Sequence, residues 1–230
     1  MLHIDHISKV QIYSDEWQLL RRGKLTSSRF FTQMGEKPYT TGAMTYLYHK
    51  VGEELTGHIC AEDEQFEDEN TAWGNTYEPE AIRLFQKIKN VQYLATQKLI
   101  HNPNRRFSST PDAIWIHGVC QNQVEYNVST LEVKCPRKFH RFIPFRRCKT
   151  PAELKKISPM FYWQTLDQMW NCGSAIGYFM VYHPQFPEQA NHRIIECRKM
   201  DLWDDFKLLE ERKVLAEKKF DEIKAEMLAA

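Results

Sequence analysis

The chain has 230 residues, with 31 Lys and Arg against 30 Asp and Glu and a formal charge of +1. Hydrophobic residues make up 42% and charged residues 27%, which excludes disordered and fibrous architectures and leaves enough apolar material for a substantial core. The neutral total excludes a uniformly basic protein but not a nucleic-acid binder, which needs only a local basic face.

In chain order, the pattern first predicts helices. Residues 15–22 read as a short helix ended by Gly23, and Thr26 or Ser27 can cap a second one running through Met34. Thr41-Gly42 precedes a third, to about Leu55. Residues 67–89 make a longer one, in which Trp73, Tyr77, Ala81, Leu84 and Ile88 recur at helical spacing. Residues 106–109, 113–117, 128–134, 175–183 and 192–197 are short and rich in β-branched or aromatic side chains, and read as strands. A helix over 159–171 interrupts them. A long helix closes the chain from Asp201 to about Met227, striped by Leu202, Phe206, Leu209, Ala216, Phe220, Ile223 and Met227. The expectation is an α/β (α+β) fold, a central mixed, mostly antiparallel sheet flanked by helices. One domain over 1–230 is expected, with N-terminal helices in 14–56, a core in 64–198 and the closing helix in 201–228.

No stretch approaches 18 consecutive apolar residues, and the N-terminus has no basic region followed by an apolar run, so neither a membrane span nor a secretory signal is expected. The cysteines, Cys60, Cys120, Cys135, Cys148, Cys172 and Cys197, form no Cys-x-x-Cys pair and no zinc-finger spacing. They read as reduced, mostly buried thiols of a cytoplasmic protein. The histidines show no metal-binding spacing; His101, His117, His140 and His183 read as structural or surface residues.

Charge is segregated. Residues 61–80 hold eight acids and no Lys or Arg, while residues 137–149 hold six basic residues and no acid. Between these runs lies the strongest constellation: Pro111-Asp112, then Glu132-Val133-Lys134, with nineteen residues between Asp112 and Glu132. Glu132 and Lys134 are i and i+2 on a strand, so they share a face, while Leu131 and Val133 face a core. Two carboxylates beside an ammonium suit a hard cation such as Mg2+ and a polarised water. Taken alone, Glu-x-Lys is also an ordinary same-face salt pair and Pro-Asp an ordinary turn.

With its flanks, the chain resembles a known family. Ser109-Thr110-Pro111-Asp112 and Leu131-Glu132-Val133-Lys134-Cys135-Pro136 resemble the PD-(D/E)xK nuclease core. Four further blocks narrow the resemblance to the lambda-exonuclease or YqaJ-like viral recombinase family: Trp17 with 21–28, the run 72–78, Tyr162-Trp163-Gln164 with Met169-Trp170, and Tyr178-Phe179 with Tyr182-His183-Pro184. All stand in the family's order and span roughly 16–184.

The resemblance implies roles. Asp112, Glu132 and the backbone carbonyl of Val133 would ligate Mg2+, in two ions for which Mn2+ can substitute. Lys134 would position or activate the attacking water. Glu78 would complete the site, although Glu80 competes on chemistry alone. Gln164 would hold the water or Lys134, with Gln168 as competitor. Arg21 and Ser28 would contact DNA phosphate, with Arg22 and Lys24 equally good candidates by chemistry. Arg137 and Lys138 open a basic run interleaved with Phe139, Phe142 and Phe145, which suits a DNA groove. The implied function is a phage or prophage exonuclease in the bacterial cytoplasm. It would digest double-stranded DNA ends 5′→3′ on one strand and leave a 3′ strand for a single-strand annealing protein. A homotrimer is the implied assembly. A structure-specific endonuclease on the same core, or a non-catalytic DNA-binding module, is the alternative.

Overall fold

The computed structural model describes residues 1–12, 14–60, 69–91, 94–102, 104–119 and 125–229. The first elements are β1 (Leu2–His3), α1 (Asp15–Arg21), β2 (Leu25–Thr26), α2 (Ser27–Phe30), α3 (Thr41–Thr56) and α4 (Glu69–Lys89). Then come β3 (Leu94–Thr96), β4 (Ile100–His101), β5 (Phe107–Ser109), β6 (Ala113–Val119) and β7 (Glu125–Lys134). Three helices, α5 (Phe139–Arg147), α6 (Pro151–Ile157) and α7 (Pro159–Asn171), lead to β8 (Ile176–Tyr182), β9 (His192–Arg198) and α8 (Trp203–Ala229).

Local chemistry sets the helix ends. Ser14 accepts from the Trp17 amide at 3.2 Å to start α1, and Gly23, at φ +67°, takes the left-handed conformation that turns the chain after it. Thr150 and Ser158 cap α6 and α7, each followed by a proline in the first turn.

The main sheet runs β3-β6-β7-β8-β9, with β1 also on β7. Within this sheet, among the described residues, only β7 and β8 pair in parallel. A parallel pair needs a long crossover, and α5, α6 and α7 form it. The sheet is buried on both faces. Ala81, Ile82 and Phe85 of α4 pack on Leu131, Val133, Tyr178 and Met180. On the other face α7 and α8 cover Phe179, Val181, Ile195 and Cys197. Phe85 is fully buried, a contribution of about 2 kcal/mol. Gly177 lets α7 come close: a Cβ there would stand 2.5 Å from the Met169 side chain.

Several expectations need correction. The second helix ends at Phe30, and Phe31–Met34 tightens into a 3-10 turn. The buried face of α4 is Ala81, Ile82 and Phe85, whereas Ile88 is exposed. Met227 is exposed too, because the last turns of α8 run past the core. The basic run after Pro136, to which the sequence assigns no element, is helical over Phe139–Arg147 as α5, with Pro144 inside it. Residues 61–68 of the acid-rich run, the first two residues of the predicted 67–89 helix, and Cys120 lie outside the described residues. The five described cysteines are free; three of them are buried.

Candidate active site

The geometry of the site follows from strand register. Ala113 pairs with Leu131 across the antiparallel β6–β7 ladder, so Asp112 stands beside Glu132. Asp112 Oδ2 accepts from the Val133 amide at 2.6 Å. Leu131 and Val133 enter the α4 core, which turns Glu132 and Lys134 toward α7.

Glu132 is 1% exposed and held from three directions. Gln164 Nε2 donates to its Oε1 at 2.6 Å and Gln168 Nε2 to its Oε2 at 2.6 Å. Lys134 Nζ lies 2.5 Å from Oε1. The two glutamines are one helical turn apart on α7 and grip one carboxylate. Gln164 thus holds Glu132 and not Lys134, and Gln168 is its equal partner. Both amides must present nitrogen to an acceptor-only carboxylate.

A cleft of about 190 Å³ opens here, lined by Asp112, Glu132, Lys134, Glu78, Gln164 and Gln168 together with Arg21 and Ser28. The approach of the first blocks depends on a second, small sheet. There β2 pairs in parallel with β5, with Leu25 beside Phe107 and Thr26 beside Ser108. That pairing sets Ser27 and Ser28 alongside the segment from Ser109 to Asp112. Arg21 stacks on Trp17, with its guanidinium carbon 3.9 Å from a ring centroid. Glu78, not Glu80, lines the cleft, while Glu80 accepts from the Tyr182 hydroxyl. Arg22 and Lys24 turn to another cleft, where they donate to the carbonyls of Gly57 and Arg105. Arg137 and Lys138 are exposed and do not line the cleft: Arg137 pairs with Glu69, and Lys138 stands at the first position before α5 without a side-chain cap. Buried His183 donates from Nε2 to the Arg137 carbonyl and accepts the Gln185 amide on Nδ1, a structural role.

Three carboxylates therefore crowd one ammonium. Burial pushes the Asp112 carboxyl well above its usual range, and the charges of Glu132 and Glu78 push it further. Burial also raises Glu78; Lys134 opposes that shift and Glu132 adds to it. For Lys134, burial works against the charge, but Glu132 and Asp112 outweigh it and keep the group an ammonium.

Among the described residues, no three acidic, histidine or cysteine side chains are already closed around one point. The donors nevertheless fit a hard divalent cation in kind: they are oxygens, they carry excess negative charge, and that charge is only partly offset by Lys134. To bind one, Glu132 would exchange part of its amide and ammonium contacts.

Cys135 adjoins this site without belonging to its chemistry. Burial, then the charges of Glu78 and Asp112, push its thiol up to about 12. In native protein at about pH 8, Cys135 should resist alkylation by iodoacetamide and become reactive only on unfolding; peptide mapping of alkylated protein checks this.

The model of the YqaJ-like viral recombinase domain matches residues 16–175. A search of curated proteins finds no match. Among solved structures, an alkaline exonuclease from Laribacter hongkongensis (LHK-Exo) is similar at 20% identity and a TM-score of 0.63, over 94% of this chain and 99% of that one. A structure of LHK-Exo in complex with dAMP gives 19% and 0.63, with the same coverage. A phage related exonuclease from Haemophilus somnus 129PT gives 17% and 0.61, over 89% and 96%. At these identities the likeness is one of fold. Among the described residues no helix is long and apolar enough to cross a membrane.

Proposed function

The chain belongs to the YqaJ-like viral recombinase family, and from that premise we propose that this nuclease is a Mg2+-dependent, phage-type exonuclease acting 5′→3′ on double-stranded DNA ends. One observation carries the reading: Asp112, Glu132, Lys134 and Glu78 line a single cleft with Arg21 and Ser28. The first four suit phosphodiester hydrolysis, and the last two suit a terminal phosphate.

Asp112, Glu132, Glu78 and the Val133 carbonyl would hold the cation, two ions in the full site, with Mn2+ able to substitute. Bound there, a divalent cation polarises phosphate and makes water more acidic. The chain supplies the rest. Lys134, fixed against Glu132 and kept charged, stabilises negative charge growing on the scissile phosphate. As an ammonium it does not take the proton of the attacking water, so it positions that water and does not deprotonate it. Gln164 and Gln168 fix the Glu132 carboxylate. Arg21 offers a guanidinium fork and Ser28 a hydroxyl to phosphate oxygens. The exposed cations of α5 and its start, Lys138, Arg141 and Arg147, suit the DNA backbone, and Arg137 stands just before them. The product would be a 3′ single strand for an annealing protein, in the cytoplasm of a bacterial host, with a homotrimer as the assembly.

End-labelled duplex digested with Mg2+ tests this. Early release of the 5′ label as mononucleotide, with the 3′ label retained, is expected. Rapid nicking of a covalently closed circle, with linear DNA no better a substrate, favours an endonuclease and sinks the exonuclease reading. Absence of any hydrolysis favours a DNA-binding module.

Arg21→Ala should cost the preference for 5′-phosphorylated over 5′-hydroxyl ends about tenfold or more, the size of a lost charge-assisted hydrogen bond. Cleavage rates on the two matched duplexes give the ratio, and an unchanged ratio refutes the role.

A further inference from the structure

Beside the glutamine pair, α7 carries a second polar cluster that the proposed chemistry does not use. Asp167 is fully buried. Its Oδ2 accepts from Ser27 Oγ at 2.5 Å and from Asn171 Nδ2 at 2.9 Å. Its Oδ1 pairs with Lys213 Nζ, which enters from α8. Lys213 is 2% exposed, and the rings of Phe107, Trp170 and Phe30 surround its ammonium at 3.8, 4.1 and 4.6 Å. Burial pulls the Lys213 pKa down, and Asp167 opposes that pull.

Such a pair is a poor choice for stability alone. Desolvating both charges costs about what their attraction returns, and well-packed apolar side chains do as well or better. Its connections are more telling. Ser27 precedes Ser28 at the cleft. Asp167 lies between Gln164 and Gln168, which hold Glu132. Lys213 lies beyond the matched 16–175 segment and fixes the whole arrangement to the closing helix.

We propose that buried Asp167, anchored to α8 by Lys213, is a positioning residue whose acceptor for the Ser27 hydroxyl ties the Ser27–Ser28 segment to the turn of α7 holding Glu132. Docking of a DNA-end phosphate and alignment of the Glu132 carboxylate are then set by one rigid unit. The proposal rests on the reading that Arg21 and Ser28 receive that phosphate.

The test compares two double variants of the full chain. D167L/K213M removes both charges and the Ser27 acceptor; D167N/K213M removes the charges but keeps an acceptor for Ser27. Both should fold, with melting temperatures near that of the starting protein. In D167L/K213M, the ratio of 5′-phosphorylated to 5′-hydroxyl duplex cleavage should fall roughly fivefold or more, the low end of an ordinary coupling between sites. The same loss should appear in fluorescence-anisotropy binding of the two duplexes in EDTA. D167N/K213M should recover most of the ratio, a rescue that a merely structural role does not predict. A folded D167L/K213M that keeps the original ratio overturns the proposal. If that variant does not fold, Ser27→Ala cuts the same arm, and an unchanged ratio there overturns it equally. Absence of any phosphate preference in the unmodified protein sinks the end-phosphate reading and this proposal together; a preference that survives D167L/K213M sinks this proposal alone.

Discussion

Lys134→Ala is expected to slow DNA hydrolysis by about 10²–10³-fold or more, with duplex binding largely kept. The Lys134 ammonium pairs with Glu132 and faces the cleft that Asp112 and Glu78 also line. Among the described residues, no other side-chain cation is held against Glu132 to meet charge developing on a phosphate there. DNA binding should survive because Arg21, Ser28 and the exposed cations of α5 remain when Lys134 is removed. Stability should fall by about 1–3 kcal/mol, since a buried carboxylate loses a charged partner. It should not collapse, because Gln164 and Gln168 still donate to Glu132. Single-turnover hydrolysis, anisotropy binding and thermal melting read these three quantities. A variant that hydrolyses DNA at the original rate removes Lys134 from the chemistry.

The parts of this site that could be read from sequence are those that follow from strand alternation. Glu132 and Lys134 share a face because they are i and i+2, and Leu131 and Val133 drive that face away from the core. Asp112 follows from the same ladder once β6 and β7 pair. The parts that could not be read depend on contacts too short or too distant to leave a pattern. β2 is two residues long, yet its pairing with β5 brings Ser28 to Asp112. Gln168 differs from a solvated helix residue only because α7 is buried on nearly every side. Lys213 sits in the charged run Glu210-Glu211-Arg212-Lys213, which reads as a surface face; only tertiary packing among three aromatic rings buries it. α5 escaped because a basic run interleaved with Phe139, Phe142 and Phe145 suggests a groove and names no element. Glu78 was chosen over Glu80 by family resemblance, and the physical difference is that Glu80 is engaged by Tyr182.

The crowding of carboxylates gives a second large effect, of opposite sign on stability. Asp112→Asn should abolish hydrolysis, by about 10²–10³-fold or more, and yet stabilise the protein in EDTA. An asparagine keeps an oxygen for the Val133 amide and removes a charge that burial, Glu132 and Glu78 all disfavour. The gain must depend on pH, and its direction follows from linkage. Asp112 and Glu78 both have raised folded-state pKa values. Their contribution is therefore fully present below the unfolded carboxyl pKa and is lost as pH rises through the raised values. In EDTA the unmodified protein should thus melt lower on the alkaline side of these raised values than near the unfolded carboxyl pKa of about 4, as far as these two groups decide it. Asp112→Asn should flatten that slope. Its advantage, about 1–2 kcal/mol or roughly 2–6 °C in melting temperature, should appear at the alkaline end and vanish where Asp112 already carries a proton. Mg2+ should raise the melting temperature of the unmodified protein most at alkaline pH, where the carboxylates are charged, and do so less in the variant. Differential scanning fluorimetry across pH, with EDTA or Mg2+, reads all of this. A variant that melts below the unmodified protein at alkaline pH in EDTA would show that Asp112 is not strained by its neighbours. The case for a cation held by Asp112, Glu132 and Glu78 would then lose its electrostatic support.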